Sequence, residues 1–262
     1  MAATAAHADT IKAGGNVINE TWTPDGSPYI VQGDITVPAG AFLTIEAGTV
    51  VRFASTDAQG GGQDPTRTEL TVRGTLTVRG TAAQPVQFAG ATSSPGSWYG
   101  LVVDGTGPTL AISNLTMTNP TVGIRHLATG GTITTDAISI NAPLAFGAEI
   151  SAGAPTYNGV MVAGTSGSTT VGFLVDASAS PILTNCLSRN MGDAGVRFQP
   201  TSSGHTLTIT NCTLDTNGGF GIDTNTSGFT GSVTVTNSII SNHATGIRRG
   251  QVSSVTVLVQ FS

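Results

Sequence analysis

Five charged residues recur from residue 125 to residue 248 at intervals of 24, 48, 26 and 25 residues. Arginine and carboxylate alternate among them, in the order Arg125, Glu149, Arg197, Asp223 and Arg248. A guanidinium group binds a carboxylate through two parallel hydrogen bonds. If a repeating fold aligns these residues on one face, two uses are open to them. They can bind the carboxylates of an acidic polysaccharide, or they can pair with one another between neighbouring coils.

A second group of residues offers acid and base chemistry. Asp193, Asp215 and Asp223 fall in neighbouring repeats, with Arg197 among them, and such a cluster can perform general acid–base catalysis or Ca²⁺-assisted proton abstraction. The histidines and cysteines show no His-x-His, His-x-x-x-His or CxxC spacing. The sequence therefore predicts no metal site and no cofactor, except Ca²⁺ if the protein is a lyase.

The elements that must position these residues follow from an internal repeat. A glycine followed by an apolar residue recurs at intervals of 23, 24, 25, 23, 26 and 25 residues. The seven glycines are Gly100, Gly123, Gly147, Gly172, Gly195, Gly221 and Gly246. A period this steady is typical of a solenoid. Each charged residue of the first group lies two positions after one of these glycines, which predicts that they form one outward column.

Within each repeat, apolar and polar residues alternate, as a strand requires. Leu207 and Ile209 alternate with Thr208 and Thr210, and the next repeat shows the same pattern. Charged residues are 10% of the chain and glycine contributes 35 residues, a composition that disfavours helices. Short strands in repeats of about 24 residues indicate an all-β parallel β-helix, in which like residues of successive coils stack at about 4.8 Å.

Asparagines mark a bend after one of the strands. The column contains Asn114, Asn185, Asn211 and Asn237, with Asp136 or Thr135 in the second coil and no clear member near residue 160. Asparagine tolerates a positive φ, and its side-chain amide can bond to the neighbouring coil. Cys186 and Cys212 each follow a column asparagine, so we expect two stacked free thiols in the core.

The repeats NCLSRNMGDAGV, NCTLDTNGGFGI and NSIISNHATGI resemble those of the right-handed parallel β-helices of the pectate-lyase-like superfamily. YIVQGDITVPAGAFLTIEAGTVVRF is similar to the start of many secreted bacterial β-helix proteins. The resemblance covers about residues 28–261 and implies a single right-handed helix of about ten coils. Enzymes of this superfamily typically show clustered aspartates with a nearby Arg, Lys or His. This chain has no Asp-Asp pair.

Three segments depart from the regular repeat. Residues 1–27 are expected to form an N-terminal segment or cap, with the β-helix at 28–262. Residues 54–69 have no strand pattern and are expected to protrude as a loop, because Ile35 to Phe53 recurs as Leu70 to Phe88 once they are removed. The last strand, VSSVTVLVQFS, has no visible cap, so we expect it to allow self-association.

Charge and hydropathy limit the partners. The formal net charge is −5 and no basic stripe is present, which excludes a nucleic-acid partner. No apolar run approaches the roughly 20 residues of a membrane-spanning helix. Ala6-His7-Ala8 has the small-x-small form of a signal-peptidase site, and we therefore expect a secreted or cell-surface protein, extracellular or periplasmic.

Three functions follow from these observations. The first is a non-enzymatic secreted or surface module that acts as a scaffold, adhesin or carbohydrate-binding domain. The alternative is a polysaccharide lyase or glycoside hydrolase that acts on an acidic polysaccharide. The third is ice binding through Thr-x-Thr segments such as Thr208/Thr210 stacked on Thr234/Thr236.

Overall fold

A computed structural model describes residues 8–165, 169–224, 229–250 and 254–260, and these residues form a parallel β-helix of about nine turns. The described part contains 28 strands and one short 3₁₀ turn at Pro24–Gly26. The fold class that the sequence predicts is therefore confirmed, and its right-handed sense is consistent with the structure.

The strands are short and follow one another without helices between them. The first fourteen are β1 (Thr10–Lys12), β2 (Gly15–Asn16), β3 (Glu20–Trp22), β4 (Tyr29–Val31), β5 (Ile35–Val37), β6 (Phe42–Glu46), β7 (Val50–Phe53), β8 (Glu69–Val72), β9 (Thr75–Arg79), β10 (Val86–Gly90), β11 (Gly100–Val103), β12 (Thr109–Thr118), β13 (Val122–His126) and β14 (Thr132–Asn141). The others are β15 (Phe146–Ile150), β16 (Thr156–Asn158), β17 (Val160–Ala163), β18 (Val171–Ala177), β19 (Ile182–Thr184), β20 (Leu187–Arg189), β21 (Ala194–Pro200), β22 (His205–Thr210), β23 (Thr213–Asp215), β24 (Phe220–Thr224), β25 (Thr230–Thr236), β26 (Ile239–Ser241), β27 (Thr245–Arg249) and β28 (Ser254–Gln260).

These strands stack into three sheets. A ten-stranded sheet runs in the order β2-β5-β8-β11-β13-β15-β18-β21-β24-β27. A thirteen-stranded sheet follows β1-β4-β7-β10-β12-β14-β17-β20-β23-β26, with β3, β6 and β9 joined to it through β12. The third sheet has five strands, in the order β16-β19-β22-β25-β28. Each strand therefore pairs with the equivalent strand of the next coil, as a solenoid requires.

Alternating apolar residues of the strands fill the interior. In the ten-stranded sheet, the inward column begins with Ile35, Leu70, Leu101 and Ile124, all of which are fully buried. One continuous hydrophobic cluster runs from Val17 to Val255 and includes Trp22, which stacks on Tyr29 at 4.6 Å. Removal of this apolar surface from water is the main term that favours the fold.

The asparagine column forms the predicted left-handed bends. Asn114, Asn185, Asn211 and Asn237 have φ between 47° and 54°. Asn114 Nδ2 donates to Gly80 O of the preceding coil at 3.2 Å, so the amide links coils at the bend. The two positions that the sequence left open are Ala137 (φ 52°) and Gly159 (φ 67°), rather than Thr135 or Asp136.

The glycine column exists because the next coil passes too close for a side chain. A Cβ on Gly123 would lie 2.4 Å from Gly147 O, and one on Gly172 would lie 2.5 Å from Gly195 O. Real Cβ contacts are essentially never this short. The repeated glycine is therefore a packing requirement of the ten-stranded sheet.

The N-terminal residues contain three short strands. Strands β1, β2 and β3 pair in parallel with β4, β5 and β6, so the solenoid extends back to Thr10. Their length of two or three residues is too short for an alternating pattern to show in sequence. Between Phe53 and Glu69 the chain forms turns without strands, and Glu69 begins β8.

Candidate functional site

One outward column runs along the whole ten-stranded sheet. The pairing register aligns Asn16, Thr36, Thr71, Val102, Arg125, Glu149, Leu174, Arg197, Asp223 and Arg248. The last seven are the column that the glycine repeat predicts. The sequence therefore placed the charged strip in the correct register.

The charges of this strip pair with one another. Arg125 forms an ion pair with Glu149, and burial raises the pKa of Glu149 although the arginine opposes that shift. Arg197 contacts Asp223 at 3.0 Å and Asp193 at 2.6 Å. From the sequence, these arginines could bind either an external carboxylate or a carboxylate of a neighbouring coil. In the structure, Arg125 and Arg197 each have a carboxylate of this chain beside them.

Asp223 is the centre of the most buried pairing. Its side chain accepts hydrogen bonds from Arg197 Nε at 3.0 Å and from Arg248 Nε and Nη2 at 2.8 and 2.7 Å, and the residue is 2% exposed. Arg248 also lies over the ring of Phe220, with its Cζ 3.7 Å from the centroid. Hydrogen bonding to Asp223 raises the pKa of Arg248. Binding of an acidic polysaccharide by this strip stays a prediction, and it requires these pairs to open.

The four residues of the predicted catalytic cluster are split between two sheets. Asp193 and Asp223 meet at Arg197, whereas Asp215 lies in β23 of the thirteen-stranded sheet. There its carboxylate accepts hydrogen bonds from Ser241, Asn242 and Thr216, and these lower its pKa. A catalytic role for the cluster stays a prediction.

A polar cleft lies at the other end of the same sheet. It has a volume of about 430 Å³ and is bounded by the loop between β7 and β8. Its lining consists of Gly15, Asp34, Thr36, Gln59, Gly61, Gly62, Gln63, Glu69, Thr71, Arg73, Val102 and Asp104. Clefts of about 300–1,000 Å³ are typical of small-molecule sites. The sequence pointed to the loop of residues 54–69 as a possible functional surface, but it identified no residue of this cleft as a site residue.

Asp34 and Glu69 occupy positions that are glycine in the later coils. In each coil this position lies two residues before the residue of the outward column. Glu69 pairs with Gly100 in the register, and Asp34 precedes Ile35 just as Glu69 precedes Leu70. Where seven later coils carry glycine, the two coils beside the loop therefore carry carboxylates. The sequence contained a signal for the two carboxylates. The segment Ile35 to Phe53 recurs as Leu70 to Phe88, and the residues directly before the two segments are Asp34 and Glu69.

The two carboxylates converge on one point. A Cβ on Gly62 would lie 2.6 Å from Asp34 Oδ2 and 2.7 Å from Glu69 Oε1. Glu69 is 1% exposed; its Oε1 accepts from Thr71 Oγ1 at 2.7 Å, and its Oε2 accepts from Gln63 N at 2.8 Å. Asp34 Oδ1 accepts from Glu69 N at 2.9 Å, whereas Asp34 Oδ2 is buried without a hydrogen-bond partner.

Asp57 holds the loop over the cleft. Its carboxylate accepts hydrogen bonds from the backbone N–H groups of Asp34, Gln59 and Gly61 at 2.8 to 2.9 Å. These bonds lower the pKa of Asp57 although burial opposes them. The loop is therefore tied to the strand that carries Asp34, and Gln59 and Gln63 are fixed along one wall.

The electrostatics of the pair are unusual for carboxylates. Burial raises the pKa of Asp34 to about 7, and the neighbouring Glu69, Asp57 and Asp64 add to this shift. Burial also raises the pKa of Glu69, against the hydrogen bonds from Gln63 and Thr71. Among the residues that the structure describes, neither carboxylate forms an ion pair. Below about pH 7 the Asp34 carboxyl group is therefore largely protonated.

Three further titratable side chains, those of His126, Cys186 and Cys212, lie in the buried interior. His126 is buried; one ring nitrogen lies 2.9 Å from Tyr157 Oη and the other lies 3.1 Å from Ala128 O. Cys186 and Cys212 are free, buried and stacked, with Cys186 N donating to Cys212 Sγ at 3.3 Å.

The threonine columns of the five-stranded sheet are in register but interrupted. Thr208 pairs with Thr234, and Ile182 and Leu258 occupy the same column on either side. Ice binding on this face stays a prediction that a measurement of thermal hysteresis can test. Self-association through β28 likewise stays a prediction.

Within the residues that the structure describes, no group of three His, Cys, Asp or Glu side chains is arranged to hold a metal ion. The same residues contain no helix with the length and apolarity needed to cross a membrane. Residues 1–7, which include most of the predicted signal-peptidase site, lie outside the described ranges.

Comparison with known proteins identifies the family. The model of the pectate-lyase-like beta helix domain matches residues 15–175, which include β2 and the whole of the cleft. Searches of curated proteins and of solved structures found no match. Because the family model covers more than half of a chain that folds as a parallel β-helix, the protein belongs to the pectate-lyase-like β-helix domain family.

Proposed function

We propose that this chain is a carbohydrate-binding β-helix module that acts outside the cell or at the cell surface, and that a neutral polysaccharide binds in the cleft beside the β7–β8 loop. The observation that carries the proposal is the cleft itself, a polar cavity of about 430 Å³ on an otherwise regular solenoid. Membership of a family named for pectate lyase supports a polysaccharide as the ligand class.

The lining of the cleft suits sugar hydroxyl groups. The amides of Gln59 and Gln63 provide donors and acceptors, and Thr36 adds a hydroxyl group. Arg73 and Asp104 lie at one side, where their ion pair of 2.8 Å holds both side chains in place. Sugar hydroxyls both donate and accept, so a wall of this composition can satisfy them in several orientations.

Charge favours a neutral ligand over an acidic one. Asp34, Glu69 and Asp104 line the cleft, whereas Arg73 is its one basic residue and is already paired. Asp57 and Asp64 add to the negative potential at Asp34. A polyuronate would meet like charge here, which opposes its binding. The cleft thus argues for a different ligand from the acidic polysaccharide that the arginine strip led us to expect.

Binding to a panel of polysaccharides tests the proposal. Titration calorimetry with laminarin, xylan and galactomannan, beside polygalacturonate and alginate, is expected to show binding to at least one neutral polymer and none to the acidic pair. The double variant Gln59→Ala/Gln63→Ala is expected to weaken this binding at least tenfold. Both substitutions keep the backbone N–H groups that hold Asp57 and Glu69.

A matched control is Gln87→Ala, which removes an exposed glutamine side chain from β10 of the thirteen-stranded sheet. We expect it to bind as the wild type does. Binding of polygalacturonate alone, or equal weakening by the control and the double variant, would overturn the assignment of the cleft. Antibody labelling of intact, unpermeabilised cells of the source organism tests the proposed location, which internal labelling alone would contradict.

A further inference from the structure

The loop between β7 and β8 is attached to the solenoid at two places. At the first, Ala58 N donates to the backbone oxygen of the residue after β4 at 3.1 Å. At the second, Arg67 donates to Gly96 O at 2.8 Å and to Asp64 Oδ2 at 2.6 Å. Residues 59–63 lie between these attachments and bound the cleft, and we name them the lid. Because both ends are held, the lid is the part of the loop that can move alone.

The backbone of the lid can change conformation at low cost. Its sequence is Gln-Gly-Gly-Gly-Gln, and Gly60 and Gly62 have φ of 62° and 64°. Glycine adopts positive φ values as readily as negative ones. A few small residues in a loop commonly serve as the hinge of a segment that closes over a binding site. The lid therefore contains its own hinge.

The lid lies against Asp34 and Glu69. A Cβ on Gly62 would be 2.6 Å from Asp34 Oδ2 and 2.5 Å from Glu69 Cδ. Gln63 N donates to Glu69 Oε2 at 2.8 Å. Asp34 Oδ2 is buried and has no hydrogen-bond partner within the described structure. An ionised Asp34 beneath a closed lid is therefore a charge without a donor on this oxygen, and a buried charge of this kind is costly unless a proton removes it.

The groups that face Asp34 carry charge of the same sign. Glu69 faces it from β8, and Asp57 and Asp64 face it from the loop. Strand β2, which pairs with the strand that follows Asp34, has no titratable side chain. Burial raises the pKa of Asp34, and the three facing carboxylates add to the shift. Each neighbouring element therefore either opposes the ionised form or leaves it without a partner.

Two arginines lie in this region, and each pairs with another carboxylate. Arg67 Nη1 is 2.6 Å from Asp64 Oδ2, and Arg73 Nε is 2.8 Å from Asp104 Oδ2. Neither forms an ion pair with Asp34 among the residues for which the structure gives contacts. Ionisation of Asp34 thus adds an uncompensated negative charge beneath the lid. Movement of the lid away from the solenoid lets water reach that charge.

We propose that the lid is a pH-sensitive gate of the cleft, closed while Asp34 carries a proton and open once Asp34 is ionised. In the closed form Gln59 and Gln63 line the cleft, and in the open form they leave it. The effect on ligand binding rests on the proposed function, whereas the movement itself does not. Since the pKa of Asp34 is about 7, the closed form loses stability as pH rises through that value.

Hydrogen exchange without any ligand tests the movement. The exchange rates of single amides at pH 5 and pH 8 are compared with those of an unstructured chain at the same pH, which gives protection factors. We expect the protection of Gln59, Gly61 and Gln63 to be at least about fivefold lower at pH 8. The amide of Ala58, at the first attachment, is the internal control and should keep its protection.

Three variants identify the group that controls the lid. Asp34→Asn keeps the shape of the side chain without its charge, so protection should be equal at the two pH values. Asp57→Ala removes the acceptor of the Gln59 and Gly61 N–H groups and should lower their protection at both. Asp136→Asn, which removes an exposed carboxylate from β14, should respond to pH as the wild type does. Protection that is independent of pH in the wild type, or that falls equally in Asp34→Asn, would overturn the inference.

Calorimetry with laminarin, xylan and galactomannan at the same two pH values connects the lid to binding. We expect the wild type to bind at least about fivefold more tightly at pH 5, and Asp34→Asn to bind equally at both. A lid that opens with pH in a protein that binds no polysaccharide would support the movement and overturn the proposed function. Binding with constant protection would leave the proposed function standing and overturn the lid. Binding that ignores a change in protection would overturn its role as a gate.

Discussion

At the C-terminal end of the ten-stranded sheet, Asp223 lies between Arg197 and Arg248. At its N-terminal end, Asp34 and Glu69 lie beside Gly62, and neither forms an ion pair with a residue that the structure describes. Both regions belong to the same sheet, and each buries one carboxylate, Asp223 in the first and Glu69 in the second. In the first region every charge has a partner of opposite sign. In the second region, neutralisation of the two carboxylates requires a proton or a ligand.

The difference indicates that the paired region contributes to stability and makes the cleft the better candidate for binding. A buried carboxylate without a cation costs free energy, and such groups persist at functional sites because the surrounding structure supports them. Here the support comes from Asp57, which ties the loop to Asp34, and from Thr71 and Gln63, which hold Glu69. An internally paired strip, by contrast, offers a ligand no free charge.

The largest expected effect comes from breaking the paired region. Asp223→Ala removes the one carboxylate that Arg197 and Arg248 share while leaving both guanidinium groups in place. Loss of one partner from a buried pairing costs about 3–5 kcal/mol, and we expect the free energy of unfolding in urea to fall by about 3 kcal/mol because both arginines are partly exposed. Asp193→Ala, which removes a more exposed partner, should cost less than about 1 kcal/mol. Equal losses in the two variants would contradict the central role of Asp223.

The next effect is a pH dependence that arises away from both regions. Burial lowers the pKa of His126 to about 4 from its ordinary value of 6.5. As pH falls between these values the unfolded chain binds a proton and the folded protein does not, so the stability decreases. A shift of this size corresponds to about 3 kcal/mol. His126→Gln should remove this slope from the free energy of unfolding measured against pH, and an unchanged slope would contradict it.

A smaller loss is expected from the glycine column that links the two regions. Gly172→Ala places a Cβ 2.5 Å from Gly195 O and 2.1 Å from Ser188 Oγ, and such overpacking costs about 1–3 kcal/mol. Gly107→Ala is the control, since a Cβ there has no atom within 4 Å. Thermal unfolding of both variants measures the difference. A stable Gly172→Ala variant would show that the coils can separate enough to take side chains.

The smallest effect has the opposite sign and belongs to the cleft. The pKa of Asp34 is raised to about 7, so between pH 3.8 and about 7 the folded protein holds a proton that the unfolded chain has lost. The stability that this group contributes is therefore lost as pH rises through that window. Asp34→Asn should remove this loss and stabilise the protein at pH 8 by about 1 kcal/mol, a value reduced for solvent screening of a partly exposed side chain.

Unfolding curves in urea at pH 5 and pH 8 check this last prediction. Asp34→Asn should gain on the wild type at pH 8 and show little difference at pH 5. A loss of stability at pH 8 would mean that Asp34 is ionised and held by favourable contacts. The cleft would then resemble the paired region, and the contrast between the two ends of the sheet would fail.

The sequence by itself determined the fold and the outward column of charged residues. The glycine period and the alternation of residues such as Leu207 and Ile209 with Thr208 and Thr210 are local patterns, and a solenoid converts them directly into stacking. For the same reason the outward register from Val102 to Arg248 follows from counting residues. The length of the loop between β7 and β8 was also visible, because the repeat fails over those residues.

The tertiary structure decided what those residues do. Pairing within the strip depends on side-chain distances between coils, which a period does not specify; Arg197 bonds to Asp223 and Asp193, whereas Asp215 lies on another sheet. The cleft depends on where an irregular loop folds back, and its turns have no periodic pattern to read. Only that fold brings Gly62 beside Asp34 and Glu69 and buries Glu69 and one oxygen of Asp34, with no ion pair to either carboxylate among the described residues.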